Sequence, residues 1–273
     1  MWTRAELKAN AKEVLRRSYW ESVVAVLVCG AISIGVSLVS SIVPLGALFG
    51  MLFLMMPLTV GLNFFFMQNQ IAPSRMQNIF YAFKSGGYMK IVGSMAWMYL
   101  FLMLWSMIGG IGFIILIIKG ITSILPNFLT DSLAPGWPFI GGSLPVIDVS
   151  WVPALIVSGV IYLAGMIIAY IKSLSYSMTA YILTDNPFIG YERALKLSMA
   201  MTNGQKWEIF VLYLSVIGWG LLALLTLGIG FLFLAPYVAS TSAALYVKLR
   251  DNAINCGLTS PQELNVRLFE KPF

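Results

Sequence analysis

The residues with the chemistry to act on a substrate are few and gathered in one stretch. Asp185, Glu192 and Arg193 follow a run of hydroxyls at Ser173, Ser175, Ser177 and Thr179. A carboxylate near such hydroxyls would suit proton transfer or nucleophilic attack if a substrate reached them at the inner surface. The chain contains no histidine, and it shows no metal-ligand cluster, no nucleophile elbow and no pair of carboxylates within one segment. Acid-base or metal chemistry would need residues drawn together from separate loops. We therefore assign no catalytic residue, no cofactor and no metal site, and expect a protein that is not an enzyme.

The other candidate chemical groups lead no further. Asp131 and Asp148 lie in a Pro-, Gly- and aromatic-rich stretch that includes "LAPGWPFIGGSLPVIDVSW" and reads as a structured cap. Two acids would hold calcium only with several backbone oxygens added. Cys29 falls within an apolar run and Cys256 in a polar tail, depths that a disulfide does not join. The glycines Gly109, Gly110, Gly112, Gly228 and Gly230 end apolar runs with no Lys-Ser/Thr after them, so they are turns or close contacts and not phosphate loops.

What must position these groups is a membrane. The chain has 273 residues, 59% hydrophobic and 10% charged, and its apolar residues form runs of the length that crosses a hydrocarbon core. Six spans are expected, at 22–42, 46–67, 91–118, 152–172 with a helical extension toward 184, 208–226 and 230–248. The fold class is an all-α membrane protein, one polytopic domain over 1–273.

Sixteen of the 17 cations fall on one face of this layout, and only Lys119 falls on the other. By the rule that Lys and Arg stay inside, both termini are cytoplasmic. The net charge of +6 then reflects topology and anionic headgroups, since the cations form no nucleic-acid stripe. Candidate headgroup contacts are Arg16, Arg17, Lys84, Lys90, Lys172, Lys196 and Lys206.

Three stretches leading into outward spans read as amphipathic helices on the cytoplasmic side. Residues 3–18 open with Thr3 and Glu6 in capping-box spacing and align Leu7, Ala11, Val14 and Leu15. Residues 73–85 align Met76, Ile79, Phe80 and Phe83, and residues 187–201 align Tyr191, Ala194, Leu195 and Met199. Each suits a helix lying in the headgroup layer. Each is followed by a break and an interfacial joint, "SYWESV", "GYMKIV" or "QKWEIF". The expectation is a threefold repeat of surface helix, outward span and inward span. Its units are 1–72, 73–186 with an exterior loop at 119–150, and 187–252, before a tail at 253–273.

The span interiors hold no ionisable group, which disfavours a charge-translocating transporter. Small residues recur on the first span at Ser33, Ser37 and Ser41, and on the last at Ala239, Ser240, Ala243 and Ala244, a pattern that suits helix packing. The hydroxyls that end the fourth span either line a vestibule or mark a helix leaving lipid.

The stretches "GWGLLALLTLGIGFLFLAPYVASTSAALY" at 218–246, "NPFIGYERALKLSMAMTNGQKWEIF" at 186–210 and "RAELKANAKEVL" near the start resemble domain-of-unknown-function family 975. That resemblance implies a bacterial integral membrane protein of the cytoplasmic membrane without an assigned activity, and it carries no catalytic residues over. The expected role is a non-enzymatic helical bundle that binds anionic membrane lipids, or a second membrane protein, and no nucleic acid. The alternative is a transporter or facilitator for a neutral or amphiphilic solute, and an intramembrane enzyme comes third.

Overall fold

The computed structural model describes residues 2–42, 45–133 and 152–266. Every regular element among them is helical. Six helices are long and apolar enough to cross a membrane: Tyr19–Ser40, Gly46–Asn69, Tyr88–Ile118, Pro153–Asp185, Lys206–Leu225 and Gly230–Asn255. Each coincides with an expected span. The helices are α1 (Arg4–Arg17), α2 (Tyr19–Ser40), α3 (Gly46–Gly50), α4 (Met56–Asn69), α5 (Tyr81–Lys84), α6 (Tyr88–Leu133), α7 (Val152–Tyr176), α8 (Thr179–Asp185), α9 (Tyr191–Thr202), α10 (Lys206–Leu225) and α11 (Gly230–Asn255).

The chain forms two compact units, residues 1–99 with 174–273, and residues 100–173. In the second unit α6 and α7 touch backbone to backbone through glycine. A Cβ at Gly165 would lie 2.3 Å from the Gly109 Cα, and one at Gly112 would lie 2.8 Å from the Ser158 carbonyl oxygen. Gly109 and Gly112 are thus close contacts, one of the two roles expected of them, and Gly165 is their partner on α7. The helix continues past 118 to Leu133, so the first half of the segment expected as an exterior loop, 119–150, is helical. Its second half, with Asp148, lies outside the described residues.

In the first unit α11 is the central element. Residues 240–246 are buried on every side, and 44% of its most apolar window is buried, against 11% for α6 and for α7. Its small residues, Ser240, Ala243 and Ala244, permit that crowding, as the small-residue pattern predicts. Across the unit's other long helices, large apolar side chains such as Trp219 and Leu225 stand outward, 62% and 81% exposed. Water would not tolerate so continuous an apolar surface.

α1 is capped as its sequence specifies, with the Glu6 amide donating to the Thr3 hydroxyl at 3.2 Å. Its expected apolar face is present, but it is covered by protein: Leu7 and Ala11 are 0% exposed. Three contacts fix its course. The Trp2 indole donates to the Gln205 side-chain amide oxygen at 2.6 Å, Lys248 meets Glu6 at 2.8 Å, and the Tyr19 ring stacks on Phe233 with centroids 6.5 Å apart. α1 therefore lies antiparallel to α11 over its apolar length. The Lys248 hydrogen bond holds the exposed Glu6 carboxyl below its ordinary range.

The second expected surface helix, 73–85, is a 3₁₀ turn at Met76–Phe80 followed by the single turn α5. Ile79 is buried, whereas Phe80 and Phe83 are exposed. The reason is a close crossing on α4, where a Cβ at Gly61 would fall 1.7 Å from the Ile79 carbonyl oxygen. α9 buries Ala194 and Leu195 as expected, together with Leu197, Ser198 and Met201, while Tyr191 points outward.

Candidate functional site

The side-chain chemistry concentrates along α1 and at the C-terminal end of α8. The packing of α1 beside α10 and α11 leaves a groove with two parts. One, about 660 Å³, includes Trp2, Arg4, Lys8, Glu208 and Ser215. The other, about 570 Å³, is lined by Trp219, Leu222, Phe233 and Leu234 together with Lys8, Lys12 and Tyr237. Lys8 belongs to both. The groove is polar at the end near the start of α10 and apolar farther along.

This follows from helix geometry. Lys8 and Lys12 are one turn apart on the flank of α1, while Leu7, Ala11, Val14 and Leu15 take the buried stripe. Two ammonium groups thereby stand against the apolar helices α10 and α11, where a cation is costly without an anionic partner. Long lysine stems can lie along the apolar wall with their heads free to meet such a partner. Sequence reasoning missed Lys8 and Lys12 as a pair because the groove depends on which helix α1 packs against.

The expected headgroup residues do not converge. Arg17 pairs with Glu13 on its own helix, and Lys196 meets Glu192 at 3.3 Å. The Lys90 ammonium lies 4.6 Å from the Phe188 ring centroid, and that of Lys172 lies 4.4 Å from the centroid of Trp105. Such cation–π seats suit cations next to aromatic rings that are exposed, as Phe188 is, or half-buried, as Trp105 is. Arg16 and Lys84 are exposed, and Lys206 is half-buried at the start of α10. These seven cations are spread over both units, and no two of them line either part of the groove.

The residues first considered for chemistry are mostly locked into structure. Asp185 is 2% exposed. The Tyr246 hydroxyl donates to its Oδ2 at 2.5 Å, and Arg250 Nη1 lies 3.5 Å from the same oxygen. The Tyr181 ring stacks on Tyr246 at 5.2 Å. Burial, with the Asp185 carboxylate nearby, pushes the Tyr81 phenol above its ordinary range. Half of the hydroxyl run is buried as well: Ser175, whose carbonyl accepts from the Ser198 hydroxyl at 2.8 Å, and Thr179, 0% exposed, whereas Ser173 and Ser177 are half-buried.

Arg193 serves a different element. Its Nε and Nη2 donate to the two carboxylate oxygens of Glu263 at 2.7 and 3.0 Å, and Nη2 also donates to the Leu258 carbonyl at 2.9 Å. The Asn265 amide donates to the Asp185 carbonyl at 3.3 Å, and Leu264 is fully buried. Residues 256–266, expected as a plain tail, therefore fold back as a strap on α8 and α9.

Among the described residues no group of three or more His, Cys, Asp or Glu could hold a metal ion. The family model described as "Protein of unknown function (DUF975)" matches residues 1–253. No curated protein and no solved structure matches the chain.

Proposed function

The chain belongs to the DUF975 family of proteins of unknown function, and on that premise we propose a non-enzymatic, multi-pass protein of the bacterial cytoplasmic membrane that holds an anionic lipid in the groove beside α1. Both termini face the cytoplasm in this reading, which is supported by the distribution of cations along the sequence. The observation that carries the proposal is the pairing of Lys8 and Lys12 with the apolar wall of Trp219, Leu222 and Phe233. An acyl chain satisfies the wall, and a phosphate satisfies the ammonium groups. The polar end around Arg4 and Ser215 offers further hydrogen bonds to a headgroup.

Native mass spectrometry of the gently extracted protein tests this. Anionic phospholipid should be enriched over zwitterionic lipid, and the enrichment should fall in the Lys8→Gln, Lys12→Gln double variant. Lipid content equal to that of an unrelated six-span protein would refute it.

A facilitator for an amphiphile is the second reading, because the groove runs from a polar to an apolar end and is open along its side. Proteoliposomes that move a fluorescent lipid analogue faster than protein-free vesicles would favour transport over static binding.

A further inference from the structure

Arg4 and Lys8 line the polar part of the groove beside α1, and Lys8 and Lys12 line its apolar part. The three residues follow one another at intervals of four along α1. They therefore stand on one flank of the helix, with about 6 Å of rise from each to the next. Lys8, the middle one, serves both parts.

The protein neutralises none of the three. Among the described residues every ion pair uses another cation: Arg17, Arg193, Lys196, Lys248 or Arg250. The two acids of α1 are engaged on the other side of the helix, Glu6 with Lys248 and Glu13 with Arg17. Within the groove the opposing charge is Glu208, in the polar part. Three cations against one carboxylate leave the lining with two uncompensated positive charges.

A lipid with a single phosphodiester brings one negative charge and meets one adjacent pair of these cations. Two phosphates on a bridge meet both pairs, one between Arg4 and Lys8 and the other between Lys8 and Lys12. A diphosphate holds its two phosphates on one shared oxygen and so stays at one pair, whereas a three-carbon glycerol bridge spaces them by about one helical turn. We propose, on the footing that the groove holds an anionic lipid, that its preferred occupant is a cardiolipin: two phosphodiesters bridged by glycerol. Its two negative charges equal the excess on the lining. Its acyl chains run along Trp219, Leu222 and Phe233.

The test is native mass spectrometry of the full chain in detergent, titrated with tetraoleoyl cardiolipin, dioleoylphosphatidylglycerol or dioleoylphosphatidylethanolamine at equal phosphate. Cardiolipin should bind about tenfold tighter than phosphatidylglycerol, the gain of one further hydrogen bond between charged groups. Arg4 and Lys12 are exposed, so Arg4→Gln and Lys12→Gln spare the fold, and each removes the seat of one phosphate. Each should bring cardiolipin down to the level of phosphatidylglycerol, which keeps one cation pair and changes little. Lys8→Gln removes the shared cation and should weaken both lipids. Lys84→Gln, outside the groove, should change neither.

Equal binding of cardiolipin and phosphatidylglycerol, both above phosphatidylethanolamine, would overturn the two-phosphate occupant and leave the anionic-lipid reading standing. If neither anionic lipid exceeds phosphatidylethanolamine, both fall. A cardiolipin preference that survives Arg4→Gln and Lys12→Gln, or that Lys84→Gln lowers as much, belongs to another surface and overturns the assignment as well.

Discussion

The Tyr88 hydroxyl donates a 2.5 Å hydrogen bond to the carbonyl of Phe53. Four residues after Phe53 comes Pro57, which has no N–H to give that carbonyl, and the chain adopts a π-helical turn over Met51–Met55 just before it. Tyr88, the aromatic residue of the second interfacial joint, thus serves the proline of another helix. Tyr88→Phe should cost about 1–3 kcal/mol, the penalty for an unsatisfied carbonyl. The same change should cost much less in a Pro57→Ala background, where an amide returns. Denaturation midpoints of the four proteins of this double-mutant cycle give the coupling.

Gly61 is required by space. A methyl group there would meet the Ile79 carbonyl at 1.7 Å, whereas one at Gly93 would meet nothing within 4 Å. Gly61→Ala should destabilise by roughly 1–3 kcal/mol or more through overpacking. Gly93→Ala, in a helix interior, should be neutral or stabilising by up to about 1 kcal/mol. Melting temperatures that moved equally would show that the crossing of α4 by the 3₁₀ turn is not close.

The six apolar helices were legible because their signal is local: length, apolarity and flanking charge all lie within one segment. The Thr3 cap was legible for the same reason. The three joints also share a feature, since Trp20, Met89 and Trp207 are 70%, 68% and 70% exposed. What could not be read was which partner covers an apolar stripe. Leu7 and Ala11 have the spacing of a helix facing lipid or protein alike, and only the tertiary fold shows that α11 takes them. The Asp185–Tyr246 bond joins residues 61 apart. In sequence Asp185 stood out as a candidate acid, and nothing pointed to Tyr246 as its partner. The C-terminal strap gave no periodic signal because its contacts are side-chain hydrogen bonds made from an irregular segment.

The covering of α1 has a measurable consequence. Leu7 is 0% exposed against the protein, so Leu7→Ala should cost about 2–5 kcal/mol, the usual range for a buried leucine. A helix resting only in headgroups would lose membrane affinity and little fold stability. Chemical denaturation in a fixed micelle separates the two, and an unchanged midpoint would contradict the docking.

Asp185 is held by two groups that would be stranded without it. Asp185→Ala leaves the Arg250 guanidinium, 10% exposed in its side chain, without its buried counter-charge, and should destabilise by about 3–5 kcal/mol. Replacing both residues, as Asp185→Leu with Arg250→Met, should recover much of that loss, since an apolar pair of similar volume avoids desolvation. A double variant no more stable than Asp185→Ala would show that the Asp185–Arg250 contact is not the source of the cost.

The strap titrates through Glu263. Hydrogen bonding from Arg193 holds the Glu263 carboxyl below its usual value of 4.5 and holds the Arg193 guanidinium above its ordinary range. A carboxylate with a depressed folded pKa contributes stability that is full above the unfolded value and is lost as pH falls through the folded one. Docking of residues 256–266 should therefore be constant from neutral pH down to about 4.5 and weaken below it. The effect is modest, because Arg193 is 45% exposed and solvent screens the pair. Glu263→Gln should lower strap protection at neutral pH and flatten its acid dependence. Hydrogen exchange of the 256–266 amides, corrected for intrinsic rates, reads both. Protection in the variant that tracked the parent at every pH would mean that Leu264 and Asn265 hold the strap without the ion pair.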